Sequence, residues 1–123
     1  MGYRERIYGD YVKAASASLA PETLAGLEGR RPVLARFIAD HFPPSREARI
    51  LELGCGHGAL LHFARQAGYT NVSGVDGSPA QVEAAKRLGI DGVSRGEAIA
   101  ALTTEPEASV DAVVAYDVIE HLT

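Results

Sequence analysis

The sequence is short of several things, and each shortage narrows what the protein does. A single cysteine, Cys55, excludes an internal disulfide and any cysteine-based zinc cluster; no metal site is expected. Basic residues are not clustered: Arg4, Arg6, Arg30, Arg31, Arg46, Arg49 and Arg65 are scattered through a chain of net charge −4. A phosphate-backbone footprint is therefore missing, which argues against nucleic acid as the main partner. The opening segment, MGYRERIYGDYV, has charge spread through it and no long apolar run. It reads as neither a signal peptide nor a membrane span, so the expected compartment is the cytoplasm, with no membrane partner. Internal repeats and extended low-complexity tracts are absent, and 123 residues leave no room for a second independent core.

What is present falls into two parts. Residues 1–45 read as an N-terminal helical extension. Ile7, Tyr8, Tyr11 and Val12 have amphipathic spacing, with Gly9 as a weak point. A second helical stretch spans Pro21 to His41, with Leu24, Leu27, Val33, Leu34, Phe37 and Ile38 as its apolar face. Gly26, Gly29 and Pro32 break or restart that stretch, and Pro43-Pro44 ends it, since neither proline has an N–H to donate.

From residue 46 to 123 the pattern becomes strand and helix in alternation. Ile50 to Leu53 is a short strand entering the turn Gly54-Cys55-Gly56-His57-Gly58. A helix follows from Ala59 to Gln66, with Leu60, Phe63, Ala64 and Ala67 on one face and Gly68 closing it. Asn71 to Val75 is the second strand. Ser78 and Gln81 have capping-box spacing, and Pro79 sits at the first helical position. The helix they open buries Val82, Ala85 and Leu88, pairs Glu83 with Arg87, and ends at Gly89. Residues 90–94 form a weak third strand, a short helix covers Glu97 to Leu102, and Val110 to Tyr116 is a fourth strand covered on both faces. Asp117 and Glu120 then start another helix.

Such alternation predicts an α/β fold, a doubly wound parallel sheet with right-handed crossovers. That architecture holds its ligand at the carboxyl ends of the strands. The Gly54–Gly58 loop, Asp76, Glu97 and Asp117 all fall at such ends.

The loop fits two ligands. As G-x-G-x-x-A, with Asp76 22 residues after Gly54, it matches a dinucleotide fingerprint and an NAD-dependent oxidoreductase. Glu52 tilts the choice. A pyrophosphate at the mouth of the loop would meet Glu52 as a like charge, and no Lys or Arg lies between Arg49 and Arg65 to neutralise it. Helix N-terminal amides still offer one route to holding a phosphate.

Glu52-Leu53-Gly54-Cys55-Gly56-His57-Gly58 resembles motif I of the class I S-adenosylmethionine-dependent methyltransferases. Three further segments resemble the same family in order: Val72 to Ser78, Gly96-Glu97, and Asp111 to Leu122. The resemblance implies a Rossmann-like sheet beginning 3-2-1-4 and continuing 5-7-6. Residues 46–123 supply the cofactor-binding first four strands, so the chain reads as truncated after the fourth. It also implies S-adenosylmethionine as cofactor, with S-adenosylhomocysteine as product, and an in-line displacement at the sulfonium methyl. The implied cofactor-binding residues are Glu52, Gly54, Cys55, Gly56, Gly58, Asp76, Gly77, Ser78, Gly96, Glu97 and Asp117. Asp76 would hold both ribose hydroxyls, and Glu97, where the family more often has Asp, would meet the adenine amino group.

No catalytic residue is named by the sequence; His57 and His121 fall near the cleft as candidate bases. The expected acceptor is a small molecule. The contrasting reading is a non-catalytic half-domain that binds cofactor or a partner, with self-association through the bare edge of the fourth strand.

Overall fold

In the computed structural model the described residues are 20–97 and 110–115. The amphipathic stretch with Tyr8 and Tyr11, residues 98–109 with most of the short helix expected from Glu97, and Asp117, Glu120 and His121 lie outside them. Four strands, β1 (Ile50–Leu53), β2 (Val72–Asp76), β3 (Val93–Arg95) and β4 (Ala112–Val114), form one all-parallel sheet in the order β3-β2-β1-β4. Among the described residues three α-helices accompany it: α1 (Arg31–His41), α2 (Ala59–Gln66) and α3 (Pro79–Leu88). The order 3-2-1-4 is the one expected, and it follows from β1 being paired on both sides. Ile50 faces Val72 on one side and Ala112 on the other, and Glu52 lies between Gly74 and Val114. All four β1 residues are buried, as a central parallel strand requires.

The helical region before β1 is less uniform than its apolar pattern suggests. Leu24–Arg30 forms a 3-10 helix that runs directly into α1, with Pro32 in the first turn of α1, where its missing N–H is no loss. Leu27, Leu34 and Ile38 are buried and share one hydrophobic cluster with Ile50, Leu61 and Phe63. Leu24 and Val33, by contrast, are exposed, because the change from 3-10 to α pitch rotates them off the buried face. The segment from α1 to β1 is held by Arg46, whose guanidinium lies over the Tyr69 ring at 4.6 Å and donates to the carbonyls of Ala67 and Pro44. Tyr69 in turn donates to the Pro43 carbonyl at 2.6 Å. On the solvent side, Arg31 and Glu28 are paired at 2.7 Å, and that hydrogen bond holds the Glu28 carboxyl below its usual range.

Helices α2 and α3 end alike. After α2, Gly68 is in the left-handed region at φ +102°, and the next amide, Tyr69, donates back to Ala64. After α3, Gly89 has φ +78° and Ile90 donates back to Ala85. Both are Schellman closures whose following residue, Tyr69 or Ile90, is buried. Ala67 is exposed rather than buried, and its carbonyl accepts from Arg46. In α3, Ala84, Ala85 and Leu88 are buried while Val82 is only half-buried. Arg87 does not pair with Glu83; it donates across to the Pro21 carbonyl at 3.3 Å.

The edge strands are shorter than the sequence pattern suggests. At the start of β4, Asp111 accepts from the Arg49 amide at 2.7 Å and its own amide donates to the Arg49 carbonyl at 2.8 Å. This exchange sets the β1/β4 register. Both faces of the fourth strand were expected to be covered, but Val113 is 47% exposed at the edge of the described sheet. No helix among the described residues is long and apolar enough to cross a membrane.

One close approach sets the sheet's functional edge. A Cβ built on Gly74, in β2, would lie 2.7 Å from both Cβ and Sγ of Cys55. The turn after β1 therefore folds back over β2 only because position 74 has no side chain. Gly74→Ala should lower stability by about 1–3 kcal/mol through overpacking, and adding Cys55→Gly should recover part of that loss. Urea denaturation of the two variants checks this.

Candidate functional site

The site is the turn between β1 and α2, and the chain builds it from glycine. Gly54, Gly56 and Gly58 have φ of 66°, 60° and 92°, a left-handed conformation that side-chain-bearing residues rarely adopt. At Gly58 space is also closed: an added Cβ would lie 2.7 Å from Ile90 and 3.0 Å from Val93. The turn is thus held against the α3–β3 connection as well as against β2.

Two consecutive amides tie the turn to β2. Cys55 donates to the Val75 carbonyl at 3.0 Å, extending the β1/β2 ladder by one step. Gly56 donates at 2.8 Å to the side chain of Asp76 instead, through Oδ2. The other carboxylate oxygen, Oδ1, accepts from the Ser78 amide at 2.9 Å. Asp76 is only 1% exposed, so both contacts are made out of water, where a charged acceptor on a backbone amide is strongest. A single carboxylate therefore fixes the glycine turn and the entry to α3 together. Ser78 then caps α3, its Oγ accepting from the Gln81 amide at 3.4 Å.

The capping-box spacing is only half used. Gln81 does not return its side chain to the Ser78 amide, because Asp76 already holds that N–H. The Gln81 side chain reaches the glycine turn instead, where Oε1 lies 3.1 Å from His57 Nδ1. An amide oxygen can only accept, so His57 carries its proton on Nδ1 and donates it to Gln81. Both residues are buried, His57 at 3% and Gln81 at 1% exposure. Sequence reasoning read Gln81 as a cap and nothing more. The spacing that suggested the cap was the available signal, and competition for the Ser78 amide redirected it.

Of the residues singled out from sequence, the structure gathers most along one edge of the sheet. Glu52, Gly54, Cys55, Gly56, Gly58, Asp76 and Ser78 are buried around the turn, and Gly77 is half-buried beside them. Gly96 joins through the β2/β3 ladder, its amide donating to the Asp76 carbonyl at 3.0 Å. Glu97 follows at the end of β3 and is exposed, so nothing in the described residues draws its carboxylate into the cluster. Asp117 lies outside the described residues. Glu52 is 2% exposed at the carboxyl end of β1, with Gly74 and Val114 as its neighbours across the sheet. Away from this edge, on α2, burial first and the Arg31 charge second hold His62 below the ordinary histidine range.

This fold is also found in known proteins. A solved structure described as a DhpI–SAH complex superposes with a TM-score of 0.57 at 24% identity, over 91% of this chain and 52% of that one. A weaker likeness, with a TM-score of 0.45 and 16% identity, is to the plantazolicin methyltransferase BpumL in complex with SAH, over 97% of this chain and 53% of that one. The chain thus spans about half the length of the solved structures it matches. No curated protein matches it significantly. The likeness to DhpI carries the fold, that of the class I methyltransferases, and the family model described as "Methyltransferase domain" matches residues 27–123. By that match, which covers the whole glycine turn and every described strand, the chain belongs to the methyltransferase domain family.

Proposed function

We propose that this chain carries the cofactor site of an enzyme that transfers a methyl group from S-adenosylmethionine to a small-molecule acceptor, with residues 1–45 as a helical cap over residues 46–123. The observation that supports this reading is the donor set at the glycine turn. Two carboxylates, Glu52 and Asp76, are buried there, and no Lys or Arg occurs between Arg49 and Arg65. A dinucleotide would bring a pyrophosphate into like-charge repulsion in a poorly screened site. S-adenosylmethionine has an ammonium and a sulfonium and no phosphate, so the same charges favour it.

The chain's own residues divide the work by position. Gly54, Gly56 and Gly58, with Cys55 among them, bring backbone close to the ligand where any larger side chain would stand in the way. Each oxygen of Asp76 accepts from a backbone amide, which fixes the carboxylate at the turn, and a carboxylate is the acceptor that a ribose diol's two hydroxyls suit. Gly77 and Ser78 continue the same wall. Gly96 and Glu97, just after β3, would meet the adenine edge, and Asp117 follows the fourth strand in sequence. Bound S-adenosylmethionine would supply an electrophilic methyl: the acceptor's lone pair forms the new bond to the methyl carbon in line as the C–S bond breaks, its electron pair staying on the sulfur that leaves as S-adenosylhomocysteine. The acidic net charge and scattered arginines favour a small acceptor over nucleic acid.

Two measurements test this. Titration calorimetry of the full chain should show saturable binding of S-adenosylhomocysteine and none of NAD. Binding of NAD alone, or of neither ligand by a chain with native circular dichroism, overturns the reading. Asp76 supplies the second test. Replacing it leaves two buried amides without an acceptor, so Asp76→Ala should lose about 2–4 kcal/mol of stability as well as affinity. Asp76→Asn keeps one oxygen acceptor and should remain folded, while S-adenosylhomocysteine binding falls at least about tenfold. Unchanged affinity in a folded Asp76→Asn chain would remove Asp76 from the ribose site.

A further inference from the structure

Gln81 is among the most buried polar side chains of the described residues, 1% exposed, and only one end of its amide is engaged. Oε1 accepts from His57, whereas Nε2 has no hydrogen-bond partner among the described residues. A buried amide N–H without an acceptor is rare in a folded protein and marks a place where an acceptor belongs. An apolar side chain of similar shape at position 81, methionine for instance, would fill the space with no such cost.

The position of that amide says what the acceptor is. Asp76 and Gln81 leave the same corner, at the end of β2 and in the first turn of α3, and both are joined to Ser78. They reach consecutive residues of the glycine turn: Asp76 binds the amide of Gly56, and Gln81 binds the ring of His57. Both side chains are therefore anchored to neighbouring residues of the turn. They also differ in chemistry. A carboxylate accepts and cannot donate, so a diol that gives its protons to Asp76 keeps its oxygen lone pairs unserved. The Gln81 Nε2–H is the complementary donor.

We infer that Gln81 is a ligand-positioning residue whose side-chain N–H donates to a ribose hydroxyl oxygen of the bound nucleoside, with His57 holding the amide in the orientation that presents it. This rests on the S-adenosylmethionine reading above. His57 is then a strut of the binding turn: its Nδ1 proton is committed to Gln81.

The test pairs a protein change with a ligand change. Gln81→Met and Gln81→Glu are compared with the unaltered full chain for binding of S-adenosylhomocysteine and its 2′-deoxy and 3′-deoxy analogues. Gln81→Glu keeps an oxygen for His57 and replaces the donor by a second, charged oxygen, so it remains informative where Gln81→Met fails to fold. The unaltered chain should prefer S-adenosylhomocysteine over at least one deoxy analogue by about five- to tenfold, the range of a single hydrogen bond. In the variants that preference should shrink by at least about twofold, to the part that the hydroxyl's own bond to Asp76 supplies, since the missing hydroxyl no longer has a Gln81 donor to lose. A scaffold role alone would weaken all three ligands evenly and leave the preference intact, and that result overturns the inference while leaving the cofactor reading standing. Failure of the folded, unaltered chain to bind S-adenosylhomocysteine at all overturns both.

Discussion

The buried carboxylate of Asp76 is the contact on which the rest of the site depends. It accepts from the Gly56 amide at 2.8 Å and the Ser78 amide at 2.9 Å while only 1% exposed. Those two amides belong to different connections, one following β1 and the other preceding α3. Without a shared acceptor each would be a buried orphan donor, and each connection would be free to adjust without the other. With it, the glycine turn, the end of β2 and the start of α3 form one rigid corner. The Cys55 amide on Val75 and the Gly96 amide on the Asp76 carbonyl extend that corner to the neighbouring strands.

Rigidity at this corner depends equally on what is left out. Gly74 lets Cys55 lie against β2, and Gly58 lets Ile90 and Val93 close on the turn from the far side. The turn is wedged between two layers with no room for a side chain at either point. A ligand that meets such a turn meets backbone already in place, and little ordering cost remains when it binds. The redirected side chain of Gln81 belongs to the same design. Asp76 occupies the Ser78 amide that a capping box would have used, and the freed glutamine joins α3 to His57 instead.

Much of this was legible beforehand because it rests on local chemistry. The helix expected over about Ala59 to Gln66 is found there, because a glycine before it and another after it leave few ways to start or stop a helix. The strand order was equally legible: alternating strands and helices with right-handed crossovers leave few topologies, and the resemblance selected 3-2-1-4. Less was visible where partners are distant in sequence. The Leu24 and Val33 positions fit an α-helical face but lie on a 3-10 segment and at its junction, and they are exposed. Glu83 and Arg87 have pairing distance on a helix, yet Arg87 finds the Pro21 carbonyl 66 residues away. Surface pairs of that kind are worth so little that a better-placed acceptor takes the side chain.

The sequence by itself determined the elements, their order, the glycine turn and the acidic residues around it. Each of these follows from backbone freedom, hydrophobic period or charge, which are properties of a residue and its near neighbours. Only the tertiary structure decided which polar atoms meet. Asp76 holds Gly56 across 20 residues, Gln81 holds His57 across 24, and Glu97 stays at the surface although its motif places it beside the others. Those outcomes are competitions for a limited number of buried donors and acceptors. The winner depends on which groups the folded sheet and helices bring within hydrogen-bonding distance, which is set by packing and not by spacing along the chain.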